Sequence, residues 1–186
     1  MSNKHHFNFT LIEILAVITI ISILAVIGFG SFSYANTAAR ESATRSIIKQ
    51  LETALETARS ELGYYPSTSG SWHAIEIKKD NNGKILISFS GSAPSKQDRF
   101  SKIFSRVADT ELLYRHVNSD DKLCDAWGGV IYYRHKGSIN AASFDIITPG
   151  NDGKYGKNGK NAPVTSWLID EFKSGGEAVC DDITNF

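Results

Sequence analysis

The strongest constraint in this sequence is an apolar stretch close to its amino terminus. No charged residue occurs from Ile14 to Ala39, and the first part of this stretch is almost entirely Ile, Leu, Val, Ala and Phe. A helix rises about 1.5 Å per residue, so about 20 residues cross a hydrocarbon layer of about 30 Å. Residues 9–32 are therefore predicted to form a helix that spans a membrane once.

A secretory signal peptide is the main alternative for the same residues. Lys4 provides a basic start, and Ser33, Tyr34 and Ala35 make a passable small-x-small cleavage site. Two features disfavour this alternative. The apolar stretch exceeds the length of about 7 to 15 residues that is usual in signal peptides, and Glu13 lies where their apolar core should begin.

The overall composition limits the classes of function. The 186 residues include 20 basic and 20 acidic side chains, and 41% of the residues are hydrophobic, which suits one modest domain in addition to a membrane segment. Lys and Arg are scattered rather than arranged in a stripe. A surface that binds nucleic acid is therefore not expected.

The chain contains two cysteines, Cys124 and Cys180, and neither has partners at metal-ligand spacing. A disulfide between them, formed in an oxidising compartment, is the economical prediction, and it would place the polar part of the chain outside the cytoplasm. Two buried free thiols are the alternative.

The helix is expected to continue beyond the apolar stretch, over residues 33–62, as an amphipathic segment. Its apolar positions recur at helical spacing: Ile47, Ile48, Leu51, Ala54, Leu55, Ala58 and Leu62. Gly28 and Gly30 weaken the helix by about 1 kcal/mol each relative to alanine. Gly63 is a natural end, because glycine readily adopts the positive φ of a helix stop.

The rest of the chain alternates between strand patterns and turn signals. Residues 72–90 predict a hairpin, because apolar residues alternate around a turn of Asp, Asn and Gly. A short helix carrying Phe100 and Phe104 follows, and two further strands are expected in residues 128–148. The Gly- and Asn-rich residues 149–161 predict an irregular loop. The expected fold is α+β: a long helix packed on a small antiparallel sheet, with an irregular carboxy-terminal loop region.

Several motifs resemble those of type IV pilins and of the pseudopilins of type II secretion. "FTLIE" before an apolar helix, behind a short basic leader, is the first. Four further motifs are most similar to those of the major, G-type pseudopilin: "GYYPST", "DAWGGVIYY", "FDIITPGNDG" and the terminal "DDITNF". The resemblance covers residues 8–66 and 125–153 well and the last five residues weakly, whereas residues 67–123 have no counterpart in it.

The resemblance implies a processing site and an assembly residue. Residues 1–8 would be a leader that prepilin peptidase removes between Asn8 and Phe9, followed by N-methylation of Phe9, although Asn8 replaces the glycine of the family. A lone carboxylate in hydrocarbon costs about 2.5 to 3.5 kcal/mol. In a filament of parallel helices, Glu13 would neutralise the Phe9 amine of a neighbouring subunit and set the axial register. The alternative is that Glu13 merely lies at the level of the lipid headgroups.

The resemblance also implies a calcium site in the carboxy-terminal region. Asp152 and Asp182 match the side-chain ligands of the pseudopilin site, and backbone oxygens near Thr148 would complete it. Carboxylate and carbonyl oxygens are the ligands that Ca²⁺ takes. A solvated polar loop without a metal is the alternative.

The predicted function is structural, since the sequence contains no motif of an enzyme such as G-x-S-x-G or H-E-x-x-H. By resemblance, the precursor is a single-pass protein of the bacterial inner membrane with residues 63–186 in the periplasm. It polymerises with copies of itself and with minor pseudopilins, through an assembly platform and its ATPase, into a filament that drives protein export. A type IV or minor pilin in adhesion, motility or DNA uptake is one alternative, and a membrane-anchored binding or hydrolytic domain is another.

Overall fold

A computed structural model describes residues 10–68, 70–89, 94–136, 139–164, 166–167, 170, 172–174, 177–178 and 180–186 of the chain. The side chains of 27–31, 94–97, 173–174 and 177–178 lie outside this description. The chain divides into two compact units, Met1–Ala39 and Arg40–Phe186.

The first element is the long helix α1, Leu11–Leu62, which confirms the prediction of one continuous helix through both glycines. A capping box begins it: the Glu13 N–H donates to Thr10 Oγ1 (3.3 Å), and Glu13 Oε2 accepts from the Thr10 N–H (2.8 Å). Gly63 ends the helix with φ of 80°, as predicted, and its N–H donates to the Arg59 carbonyl.

In the first unit, the large apolar side chains described in residues 11–26 of α1 are exposed to solvent, from Leu11 at 86% to Ile14 at 50%. Within the described part of the chain, no helix combines the length and the apolar character needed to cross a membrane.

In the second unit, the described strands form a five-stranded sheet and a two-stranded hairpin. The strands of the five-stranded sheet are β1 (His73–Lys79), β2 (Ile85–Phe89), β3 (Tyr132–His135), β4 (Phe144–Thr148) and β7 (Ile183–Thr184). They have the order β2-β1-β3-β4-β7, and each neighbouring pair is antiparallel. The hairpin pairs β5 (Lys173–Ser174) with β6 (Glu177–Ala178). The predicted hairpin of residues 72–90 and the predicted pair of strands before Pro149 are confirmed.

Two helices lie between β2 and β3: α2 (Pro94–Val107), which was predicted, and α3 (Thr110–Tyr114), which was not. Residues 67–123, which have no counterpart in the motif resemblance, therefore form two of the five strands and both of these helices. The carboxy-terminal region is less irregular than expected, because it contributes a 3-10 turn (Gly150–Asp152) and three short strands.

The two faces of the sheet carry separate hydrophobic clusters, because successive side chains of a strand point to opposite faces. Tyr133 and Ile146 pack with the apolar stripe of α1, including Leu51 and Leu55, which are fully buried. Their neighbours Tyr132 and Ile147 join a second cluster, formed with Trp72, Tyr155, Trp167 and Phe172. The segment after β4 thus covers the face of the sheet that the helix leaves open.

Candidate functional site

The predicted processing point lies outside the described residues, because these begin at residue 10. Asn8 and Phe9 therefore remain sequence predictions. Glu13 is described, and its carboxylate Oε2 accepts hydrogen bonds from both the N–H and the hydroxyl of Thr10, each at 2.8 Å. At the amino terminus of a helix, such a carboxylate also interacts favourably with the helix dipole.

The "DAWGG" motif forms a tight turn around the buried carboxylate of Asp125. Its Oδ1 accepts the N–H groups of Trp127 (2.9 Å) and Gly129 (2.8 Å), and its Oδ2 accepts the Thr148 hydroxyl at 2.5 Å. A Cβ at Gly129 would lie 2.3 Å from Pro149 Cγ, so only glycine fits there. The motif therefore joins the turn before β3 to the end of β4, where the carboxy-terminal loop begins.

Three aspartates meet where this loop and the end of the chain come together. The Asp152 N–H donates to Asp181 Oδ2 at 2.8 Å, and the Gly156 N–H donates to Asp182 Oδ2 at 2.6 Å. Gly150, with φ of 67°, permits this approach, since a Cβ there would lie 2.2 Å from the Asp181 carbonyl oxygen. The structure thus brings the predicted residues Asp152 and Asp182 into one region.

Asp182 is the least satisfied member of this group. Its Oδ1 is buried and has no hydrogen-bond partner among the described residues. Burial raises the pKa of the Asp182 carboxyl to about 6, and the negative charges of Asp181 and Asp152 raise it further, against the lowering effect of hydrogen bonds from Cys180 and Gly156. A cation beside this carboxylate would relieve both the burial cost and the repulsion.

The third residue predicted for the calcium site, Thr148, is fully buried in β4. Its hydroxyl donates to Asp125. The prediction concerned backbone oxygens near Thr148, and these stay a prediction. Within the described parts of the chain, no three His, Cys, Asp or Glu side chains form a metal-binding group by themselves. A metal here would need backbone carbonyl oxygens in addition to carboxylates.

The predicted disulfide is not formed, because Cys124 and Cys180 are both thiols in the structure. The Cys124 thiol lies 3.5 Å from the Lys122 carbonyl oxygen, and the Cys180 thiol donates to Asp182 Oδ2 at 2.8 Å. Burial raises the pKa of both thiols, that of Cys180 to about 12. Disulfide formation requires a thiolate, and these surroundings favour the protonated form.

Sequence reasoning did not choose Asp181 as a ligand, and it missed Gly150 and Asn185. Asp181 is adjacent to a predicted ligand, so its position in "DDITNF" was a usable indication. Gly150 and Asn185 carried none, because their roles depend on contacts with residues far away in the sequence.

A helix whose second half packs on an antiparallel sheet, followed by a carboxylate-bearing loop, is the architecture that the resemblance to pilin-like subunits implies. Residues 88–167 match the family model of type II secretion system (T2SS), protein G. This match confirms the resemblance to the major pseudopilin of type II secretion. It also extends into residues 67–123, where the quoted motifs found no counterpart. A search of curated proteins finds no match, and a search of solved structures finds none either.

Proposed function

We propose that this chain is the major subunit of a type II secretion pseudopilus, a short filament whose polymerisation drives export of folded proteins. The observation that carries the proposal is the family match over residues 88–167, which supports a pseudopilin role and a place in the cell envelope. The matched family is a structural component of the secretion system rather than an enzyme family.

The proposed pathway begins with a precursor that inserts residues 9–32 into the inner membrane, with residues 63–186 in the periplasm. Prepilin peptidase cleaves between Asn8 and Phe9, and Phe9 is N-methylated. The exposed apolar side chains of residues 11–26 support this proposal, because such a surface is stable only against lipid or against other apolar helices.

Assembly would transfer the helix from lipid into a bundle with copies of itself and with minor pseudopilins. Glu13 would then pair with the Phe9 amine of a neighbouring subunit, because an unpaired charge is expensive in a low-dielectric environment. The assembly platform and its cytoplasmic ATPase would supply the work of extraction.

A pilin in adhesion, motility or DNA uptake shares all of these early steps. The family match favours the secretion role over this alternative, because the matched model is that of a secretion subunit. It equally disfavours a membrane-anchored hydrolytic domain.

The maturation and assembly steps are tested in cells that express the secretion system. Mass spectrometry should find a mature chain that begins with methylated Phe9. The Glu13→Leu variant should be cleaved yet stay unassembled in the membrane fraction. The matched control Glu41→Gln changes an exposed carboxylate farther along the same helix, paired with Arg45 at 2.8 Å, and should assemble normally.

Other outcomes contradict the proposal clearly. A mature chain that begins at Met1 or at Asn36 would exclude prepilin processing. Normal filament assembly by the Glu13→Leu variant would exclude the proposed ionic contact.

A calcium ion fits the aspartate region on the chemistry of its donors. The orphaned Oδ1 of Asp182 is an unused oxygen ligand, and the Asp152 carboxylate, whose charge acts on Asp182, provides a second one. We propose that Asp182 and Asp152, with carbonyl oxygens of the loop, hold Ca²⁺. The ion would neutralise the mutual repulsion of the carboxylates and fasten the end of the chain to the loop after β4.

Calcium removal tests this part of the proposal. Calcium at 100 times its Kd should stabilise the wild-type protein by about 2.7 kcal/mol relative to the protein in chelator, measured as a shift in Tm. Asp182→Asn should abolish the shift. Asp120→Asn, a change in the exposed turn after Asn118, should preserve it. A wild-type Tm that calcium does not move would end the calcium proposal and leave the pseudopilin proposal intact.

A further inference from the structure

The side chain of Asn185 hydrogen-bonds to the edge of β4 in the way that the backbone of a paired strand would. The Ile146 N–H donates to Asn185 Oδ1 at 2.6 Å, and Asn185 Nδ2 donates to the Phe144 carbonyl at 3.2 Å. The backbone N–H of Asn185 donates to the Ile146 carbonyl at 3.3 Å. Only this orientation of the amide satisfies both edge groups, because a flipped amide would set oxygen against oxygen.

The strand that precedes Asn185 is too short to hold the chain end by itself. β7 contributes two residue pairs, Ile147 with Thr184 and Thr148 with Ile183. The two hydrogen bonds of the Asn185 amide continue this ladder, because they take the place of backbone hydrogen bonds to β4. Beyond it, the Phe186 ring packs against Phe172, with ring centroids 5.3 Å apart.

The aspartates lie just before this attachment. Asp181 and Asp182 directly precede β7, and the close approach of the Asp181 carbonyl to Gly150 fixes the segment from the other side. The position of both carboxylates therefore depends on how firmly residues 183–186 are bound to β4.

We propose that Asn185 is the positioning residue of the cation site: its amide binds the carboxy-terminal segment, residues 180–186, to the edge of β4 and thereby places Asp182 beside Asp152. The second part of this inference rests on the calcium site proposed above. Because binding equilibria are reciprocally coupled, calcium should also strengthen the attachment of the segment.

The chain contains a matched control for Asn185. Asn140 Nδ2 donates to the same Phe144 carbonyl at 3.2 Å, yet Asn140 lies in the loop between β3 and β4 rather than in the carboxy-terminal segment. Asn140→Ala and Asn185→Ala thus each remove one amide donor from the same acceptor. Only Asn185→Ala releases the segment that carries the aspartates.

The experiment uses the full chain purified in detergent, with calcium chloride as the probe. Calcium affinity is measured by titration calorimetry, and amide hydrogen exchange over residues 144–148 is followed by mass spectrometry in chelator and in calcium. Asn185→Ala should weaken calcium binding by about tenfold or more and accelerate exchange in chelator, whereas Asn140→Ala should leave calcium affinity unchanged. Saturating calcium should restore slow exchange in Asn185→Ala, which a purely structural loss would not allow.

The outcomes that overturn the proposal are separate from those that end the calcium site. Wild-type calcium affinity or wild-type exchange in Asn185→Ala would overturn it, and so would an equal loss of affinity in Asn140→Ala. If the wild-type chain binds no calcium, the site itself is absent. Exchange in chelator then decides the docking role of Asn185, with acceleration supporting it and unchanged exchange refuting it.

Discussion

At the residue scale, two buried carboxylates organise the backbone around them. Asp125 accepts three hydrogen bonds within and beside its own turn. Asp145 accepts Arg134 Nη2 at 2.7 Å and the Asn140 N–H at 3.0 Å, and both side chains of the ion pair are completely buried. The Arg134 guanidinium also lies 4.2 Å from the centre of the Trp72 ring. Arg134 in β3 therefore contacts both β4 and the residue that precedes β1.

Breaking this ion pair from one side is expected to be costly. Asp145→Asn removes the carboxylate that faces the buried Arg134 guanidinium and should lower the free energy of unfolding by about 3 to 5 kcal/mol, measured by urea denaturation. The exposed pair of Lys79 and Glu111, 3.2 Å apart, provides the control. Glu111→Gln should cost less than about 1 kcal/mol, and an equal loss in both variants would contradict this account.

The raised pKa of Asp182 predicts how stability depends on pH in chelator. The folded protein binds this proton more tightly than the unfolded chain, because the pKa rises from 3.8 to about 6 on folding. The stabilising contribution is therefore present below about pH 4 and is lost as the pH rises through about 6. We expect a loss of about 1 to 2 kcal/mol after allowing for partial solvent screening.

Urea denaturation between pH 4 and pH 7.5 measures this loss. Asp182→Asn should remove most of the slope over that range, because asparagine does not titrate. A slope that persists in the variant would assign the pH dependence to other groups.

At the scale of elements, the second half of α1 is held to the sheet by apolar packing and by one buried hydroxyl. Thr44 is completely buried, and its Oγ1 accepts the Ala126 N–H at 3.1 Å. This bond connects the helix directly to the "DAWGG" turn. Arg59 and Glu56, one turn apart on α1, hydrogen-bond to the Tyr65 hydroxyl and so fix the "GYYPST" segment after the helix.

Thr44→Val tests the connection between the helix and the turn. Valine keeps the shape of threonine but leaves the Ala126 N–H without its acceptor, so the free energy of unfolding should fall by about 1 to 3 kcal/mol. Thr53→Val is the control, because the Thr53 hydroxyl bonds only to the Lys49 carbonyl of its own helix among the contacts described. Its effect on thermal unfolding should stay within about 0.5 kcal/mol.

At the scale of the whole molecule, the two units differ in whether their large apolar side chains are buried. The unit Arg40–Phe186 buries its apolar residues in clusters on both faces of the sheet, whereas the described large apolar side chains of Met1–Ala39 are exposed. The second unit therefore contains a core of its own.

A fragment of residues 40–186 should accordingly fold without the rest of the chain. We expect the fragment to unfold in a cooperative thermal transition, measured by circular dichroism. It should also be monomeric without detergent, measured by analytical ultracentrifugation. Leu51→Ala within this fragment should cost about 2 to 5 kcal/mol, because it removes a fully buried side chain. An aggregated or unfolded fragment would show that the core depends on residues 1–39.

The sequence by itself determined the elements whose signals are local. The long helix, its end at Gly63, the hairpin of β1 and β2 and the pair β3 and β4 follow from apolar periodicity and turn residues, which act over a few neighbouring positions. Short motifs of neighbouring residues also indicated the family resemblance and, through it, identified Asp152 and Asp182. They left out α3 and β7, because five- and two-residue elements are too short to show a period.

Only the tertiary structure decided the arrangement at the end of the chain. Asp152 meets Asp181 across 29 positions, and Phe144 meets Asn185 across 41, so no short pattern contains either contact. The presence of two cysteines predicted a disulfide. In the fold, however, the Cys124 thiol lies against the Lys122 carbonyl and the Cys180 thiol against the Asp182 carboxylate. Pairing between distant residues depends on how the whole chain packs, and that is the information that a local pattern lacks.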